Sequence, residues 1–289
     1  MSGWKSVADL LGERGEVALL GAPMEAGSVT PGRCDLAPDV VRRTLRRLST
    51  YDLETQLELE TGVADLGDVP VQGLMPADGF APIRAAVADG VARHPLTLLI
   101  GGNNAVTRPG AHGLGALENV GLITLDAHFD LRDTGAGPMN GNPIRCLLED
   151  GLPGANICQI GLAPFANTAA MHRDALAAGI GVFTIADCLA RGIHLVLADA
   201  LARLGHCRTL MIDFDIDVID RSQCPGASGA RAGGMPVDMF FTAARILAAQ
   251  PKVRLVDLTE FDPSLDLSDT TALTAGRWAC EILAGFSAR

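Results

Sequence analysis

Residues 209–217 read Thr-Leu-Met-Ile-Asp-Phe-Asp-Ile-Asp, an apolar run that closes on acidic residues at every second position. Successive side chains of a strand point to opposite faces, so this alternation brings Asp213, Asp215 and Asp217 to one side. Seven more short apolar runs, each leading into glycine or an acidic residue, occupy 17–23, 63–68, 96–102, 122–128, 157–162, 181–187 and 253–260. Their continuous hydrophobicity marks strands buried on both faces. Between them, residues 38–48, 80–91, 169–178, 196–204 and 237–249 carry helical periodicity, and 272–286 has the apolar pattern of a packed helix. Strand followed by helix, about eight times over, predicts an α/β fold with one parallel sheet covered on both sides. No Pro-, Gly- or Ser-rich linker divides the chain, so one domain is expected over residues 1–289.

With 48% of its 289 residues hydrophobic, the chain has ample material for a large core. Its 34 acidic against 23 basic residues give a net charge of -11, which repels phosphate backbones and anionic lipid and excludes nucleic-acid and membrane partners. The absence of a leader-like start and of any apolar stretch of membrane-spanning length predicts a cytoplasmic protein. Seven scattered cysteines without a C-x-x-C pair predict reduced thiols rather than a redox or zinc motif. Lys5 and Lys252 are the only lysines, so an anionic ligand would be gripped by guanidinium forks.

In open parallel sheets the ligand crevice lies beyond the carboxyl ends of the strands, which makes the polar residues after each apolar run the candidates for chemistry. No Lys or Arg lies in 209–218, and ionised carboxylates at a central strand end cannot stay desolvated alone. They must open to water, share protons or bind a metal. A second cluster, Asp126-Ala127-His128-Phe129-Asp130, follows the run 122–125. Asp126, His128, Asp130, Asp215 and Asp217 together form a mixed oxygen and nitrogen set suited to Mn²⁺ or a similar divalent ion, and shared carboxylates suggest a pair of ions. An isolated D-x-D is more often a solvated turn; two such clusters, one with histidine, at strand ends of one sheet favour the metal.

These residues resemble the ureohydrolase family, which contains arginases, agmatinases, guanidinobutyrases and formiminoglutamases. The likeness runs in order through GAPMEAGSVTPG (21–32), GGNN (101–104), DAHFD (126–130), DFDIDVID (213–220) and TEFDPSLD (259–266). It implies a three-layer α/β/α fold with a parallel, about eight-stranded sheet and two manganese ions at the strand ends, bridged by a hydroxide. On that pattern Asp126 and Asp215 bridge the ions, His128 and Asp217 complete one site, and Asp130 serves the other. Glu260 would face the substrate's guanidinium or formimino nitrogen, the alternative being an ordinary exposed residue before a turn. Where the family usually has histidine this chain has Asn104, whose neutral amide oxygen is a weaker ligand, so one ion or two are both open. Asn140 stands where agmatinases carry a catalytic histidine.

Formiminoglutamases resemble this chain better there, and they share DAHFDLR. The implied catalytic set is Asp130, Glu260 and Asn140. Arg132 and Arg145 would hold the carboxylates of the substrate and Asn142 would add a polar contact; for Arg132 an ion pair with Asp133 is the competing reading. The favoured reaction is hydrolysis of N-formimino-L-glutamate to L-glutamate and formamide. A guanidino-compound hydrolase and a metal-depleted, non-catalytic member of the family are the alternatives. The family also implies a homo-oligomer.

Overall fold

The computed structural model describes residues 4–289, so residues 1–3 of the expected span lie outside it. Its strands are β1 (Leu11–Gly12), β2 (Val17–Ala22), β3 (Tyr51–Asp52), β4 (Leu57–Glu58), β5 (Val63–Asp68) and β6 (Leu96–Gly101), followed by β7 (Val120–Leu125), β8 (Ile157–Leu162), β9 (Gly181–Thr184), β10 (Thr209–Asp215) and β11 (Val253–Thr259). Nine of them form one sheet in the order β1-β5-β2-β6-β11-β10-β7-β8-β9, and every pairing in it is parallel. All eight strands expected from the apolar runs are present. The ninth, β1, pairs only Leu11 with Val63 and Gly12 with Ala64, too short a segment to leave a hydrophobic period in the sequence. The remaining strands, β3 and β4, pair as a separate antiparallel hairpin.

Helices cover both faces. On one side lie α1 (Ala37–Thr44), α6 (Ile185–Arg191), α7 (Ile193–Arg203), α8 (Val237–Ala248) and α9 (Thr270–Ser287), whose buried side chains join the larger core around Phe214, Phe240 and Trp278. On the other lie α2 (Pro76–Arg93), α3 (Thr107–Gly113), α4 (Pro143–Glu149) and α5 (Ala169–Ala178), packed through Ile83, Val87, Ala111, Leu147 and Ala175. This is the expected layering. The run 181–187 is a strand only to Thr184, because Thr184 and Asp187 exchange hydrogen bonds in a capping box that starts α6.

The strand order decides where chemistry can sit. β10 and β11, late in the chain, insert between β6 and β7, so four strands from distant parts of the sequence become neighbours roughly 4.8 Å apart. Their carboxyl ends open on the same edge. All seven cysteines are free thiols, six of them buried. Among the described residues no helix is long and apolar enough to cross a membrane.

Candidate metal centre and cleft

The ends of β6, β11, β10 and β7 carry the polar residues singled out in the sequence. After β6 the chain turns at Gly102, where a Cβ would stand 1.7 Å from the Met24 carbonyl oxygen, so only glycine lets the turn pass beneath the β2 loop. That turn delivers Asn104. Beyond β7 come Asp126, His128 and Asp130. The last residue of β10 is Asp215, whose Oδ1 accepts the N–H of Asp217 at 2.9 Å and so fixes the short turn on which Asp217 stands. Glu260 follows β11 directly.

Asp126, Asp215 and Asp217 are buried, and ligand atoms of Asp126, His128 and Asp217 lie within 4.8 Å of one another. His128 Nδ1 is 3.0 Å from Asp217 Oδ2 and 3.4 Å from Asp126 Oδ1. The adjacent Asp217 charge pushes the His128 imidazole up to about 12. Burial pushes the Asp130 and Asp215 carboxyls well above the usual carboxylate range and Asp126 to about 6. These shifts share one cause: dense negative charge in a desolvated place, answered within the cluster by a single imidazolium. Four carboxylates around one imidazole are a donor set that fits a borderline divalent cation such as Mn²⁺. The loop above is shaped to it, since a Cβ on Gly229 would lie 1.9 Å from Asp217 Oδ2.

Asp130 and Glu260 both adopt left-handed backbone, at φ 52° and 61°. Non-glycine residues resist that region, and such strain persists where surrounding contacts over-determine it. For Glu260 those contacts are visible: its Oε1 accepts the Asn104 backbone N–H at 2.7 Å and Asn140 Nδ2 at 3.0 Å. Glu260 is buried, not an exposed turn residue, and burial raises its carboxyl to about 7. Asn140 also accepts the Val29 N–H at 2.8 Å, tying Glu260 to the N-terminal loop.

Asn104 is placed at the cluster but turned unlike the expectation. Its Nδ2 donates to Asp130 Oδ2 at 2.7 Å, while its Oδ1 accepts from Thr107 Oγ1 at 2.6 Å. The amide oxygen expected to meet an ion faces away from the carboxylates. Thr107 Oγ1 is also 3.0 Å from Asp257 Oδ2. Asp257 lies opposite Asp213 in the β10–β11 register, and both are fully buried. Thus the three carboxylates that alternate along 213–217 separate because the strand ends at Asp215: Asp215 and Asp217 join the cluster, while Asp213 faces Asp257. Burial and the facing Asp257 push the Asp213 carboxyl well up, and burial lifts Asp257 to about 7.

Arg132 lines the cleft above this floor, a space of about 140 Å³, with Asn140 and Glu260. Its competing ion pair with Asp133 is not formed among the described residues. Arg145 and Asn142 are not brought into the cleft. Arg145 pairs with the Asp174 carboxylate and the Leu131 carbonyl, and Asn142 is wholly buried. The Asn142 amide bonds the Asp133 and Gly137 carbonyls and the Met139 N–H, which holds the 133–142 loop in shape. Among the charged residues that line the cleft, Arg231 escaped the sequence reading; its signal was a lone cation in the small-residue stretch Gly226–Gly234.

Comparison with known proteins agrees with this geometry. The formimidoylglutamase of Halalkalibacterium halodurans is 30% identical over 274 residues, covering 92% of this chain and 86% of that relative. The crystal structure of formimidoylglutamase from Bacillus subtilis superposes with a TM-score of 0.91 at 26% identity, over 98% of this chain and 92% of the other. Trypanosoma cruzi formiminoglutamase with Mn2+2 shares the fold, with a TM-score of 0.91 at 22% identity over 99% and 100% of the two chains. The model of the Arginase family matches residues 15–285, and this chain belongs to that family.

Proposed function

We propose that the protein is a metal-dependent hydrolase acting on a C–N bond of linear amidines, with N-formimino-L-glutamate as substrate and L-glutamate and formamide as products. The observation that carries this is a buried anionic floor at four strand ends, with Glu260 at its edge and the unpaired Arg132 guanidinium on its rim. The formimidoylglutamases among its relatives support the choice of substrate.

Asp126, His128, Asp130, Asp215 and Asp217 would hold manganese at these strand ends. Bound there, such ions lower the pKa of water and supply a nucleophile near neutral pH. Asn104, with its oxygen occupied by Thr107, holds Asp130 in place as a donor. The Glu260 carboxylate accepts a charge-assisted hydrogen bond from the formimino nitrogen, oriented by Asn140 and the Asn104 N–H. Asp130 takes a proton from the attacking water and returns it to the glutamate nitrogen as the C–N bond breaks, leaving formamide. Arg132 receives a substrate carboxylate through its fork.

The test is product release from formiminoglutamate, agmatine, guanidinobutyrate and arginine by Mn²⁺-loaded, folded protein. Formamide from the first is expected. Urea from a guanidino compound, or no product from any of the four, would overturn the reading. The enzyme is further proposed to be a homo-oligomeric, cytoplasmic protein of one domain, with sedimentation as the check on its assembly.

A further inference from the structure

We propose that Arg231 is a second carboxylate-recognising residue facing the same cleft as Arg132, and that the pair selects substrates bearing two carboxylates. The inference rests on the formimino-dicarboxylate reading above and extends it to a residue which that reading does not use.

Arg231 lies on the loop between β10 and α8, two residues after Gly229, which packs against Asp217 and His128. Two residues of chain span at most about 7 Å, so its backbone is held close to the carboxylate floor. The loop is tied at both ends: Ile219 bridges to Met235, and the Arg221 N–H donates to the Arg231 carbonyl at 3.0 Å. Arg231 Nη1 donates to the Gly229 and Ala230 carbonyls at 2.6 and 3.4 Å. Those bonds anchor one corner of the guanidinium. Its Nε–Nη2 edge, the one that meets a carboxylate fork to fork, has no partner among the described residues.

The setting makes such an edge informative. Ten arginines of this acidic chain pair with a carboxylate among the described residues, the half-buried Arg42, Arg108, Arg145 and Arg245 among them. Arg132 and Arg231 do not, yet both border a cleft floored by Asp130, Asp215, Asp217 and Glu260. A dicarboxylate approaching that floor meets repulsion unless cations stand at the entrance. Two separate guanidinium edges offer one bidentate site for each of two carboxylates. Agmatine has no carboxylate and guanidinobutyrate one, so a two-arginine rim disfavours both.

The experiment compares Mn²⁺-loaded wild type with R231Q and R231K, measuring calorimetric affinities for glutarate and butyrate, Mn²⁺ content, and KM and kcat for formiminoglutamate. In R231Q, glutarate binding is expected to weaken about 10- to 100-fold while butyrate changes less than about threefold, because Arg132 still serves a single carboxylate. KM rises in parallel with little change in kcat, and R231K, which keeps the charge but loses the fork, recovers only part of the loss. Unchanged glutarate affinity in R231Q overturns the proposal. So does a fall in melting temperature or Mn²⁺ content with the glutarate-to-butyrate ratio preserved, the signature of a residue that only braces its loop. If wild type hydrolyses none of the amidines yet binds glutarate in an Arg231-dependent way, the reaction assignment falls and the dicarboxylate grip stands. If formiminoglutamate is hydrolysed by R231Q with unaltered KM, the grip falls and the reaction stands.

Discussion

Asp213→Asn should make the protein more stable, and increasingly so as the pH rises. Asp213 and Asp257 face each other at full burial on adjacent strands, and neither oxygen of Asp213 has a hydrogen-bond partner apart from that neighbour. One of the pair must stay protonated. Burial and the facing carboxylate hold Asp213 well above the ordinary 3.8, and burial holds Asp257 at about 7. Since the folded chain retains a proton that the unfolded chain releases near pH 4, stability is fully present below that pH and declines as pH climbs towards 7. At about 1.4 kcal/mol per pH unit, the decline between pH 5 and 8 is on the order of 3 kcal/mol. An asparagine at 213 donates its amide N–H to Asp257 and has no carboxyl proton of its own to retain, so the Asp213 share of the slope is lost while burial still holds Asp257 up.

The measurement is thermal and urea unfolding of wild type and D213N at pH 5, 6.5 and 8, with Mn²⁺ fixed. Subtraction cancels the titration of the metal cluster common to both. The advantage of D213N should grow by up to about 3 kcal/mol across that range, or about 6 °C in Tm for a chain of this size. A difference that does not vary with pH, or a wild type that gains on the variant towards pH 8, would refute the shared proton.

Asp215→Asn should lower Mn²⁺ content and turnover together while leaving the metal-free protein as stable or more so, because it removes one of several like charges; full activity with full metal loading would remove Asp215 from the bridge. Gly229→Ala forces the loop off Asp217, and at least a tenfold loss of Mn²⁺ affinity is expected in titrations that leave helix content unchanged. Arg145→Ala should shift KM for formiminoglutamate less than twofold, since that guanidinium is engaged by Asp174 outside the cleft; a tenfold rise would return it to the substrate site.

What the sequence made legible followed from short periods. Eight buried strands announced themselves as apolar runs, and the residues after four of them marked the site before any pairing was known. Strand order was not legible, because the insertion of β10 and β11 between β6 and β7 depends on contacts far apart in the chain. For the same reason the partnership of Asp213 with Asp257 could not be seen: each is one carboxylate in an apolar run, and only the register joins them. The orientation of Asn104 depends on Thr107, three residues on, whose hydroxyl competes for the amide oxygen. Arg145 looked like a cleft residue by its motif, but α4 directs it towards Asp174.

Asp130 and Glu260 account for two of the six non-glycine residues held in left-handed backbone among the described residues, and both stand where carboxylates crowd. Glycine at either position would relax the chain, as neutral amides would at 213 or 215. A laboratory selection for heat tolerance that never asks for turnover should accumulate its winners at these places, yielding a sturdier and silent protein. The weakest joints of this molecule as a folded object coincide with its working parts.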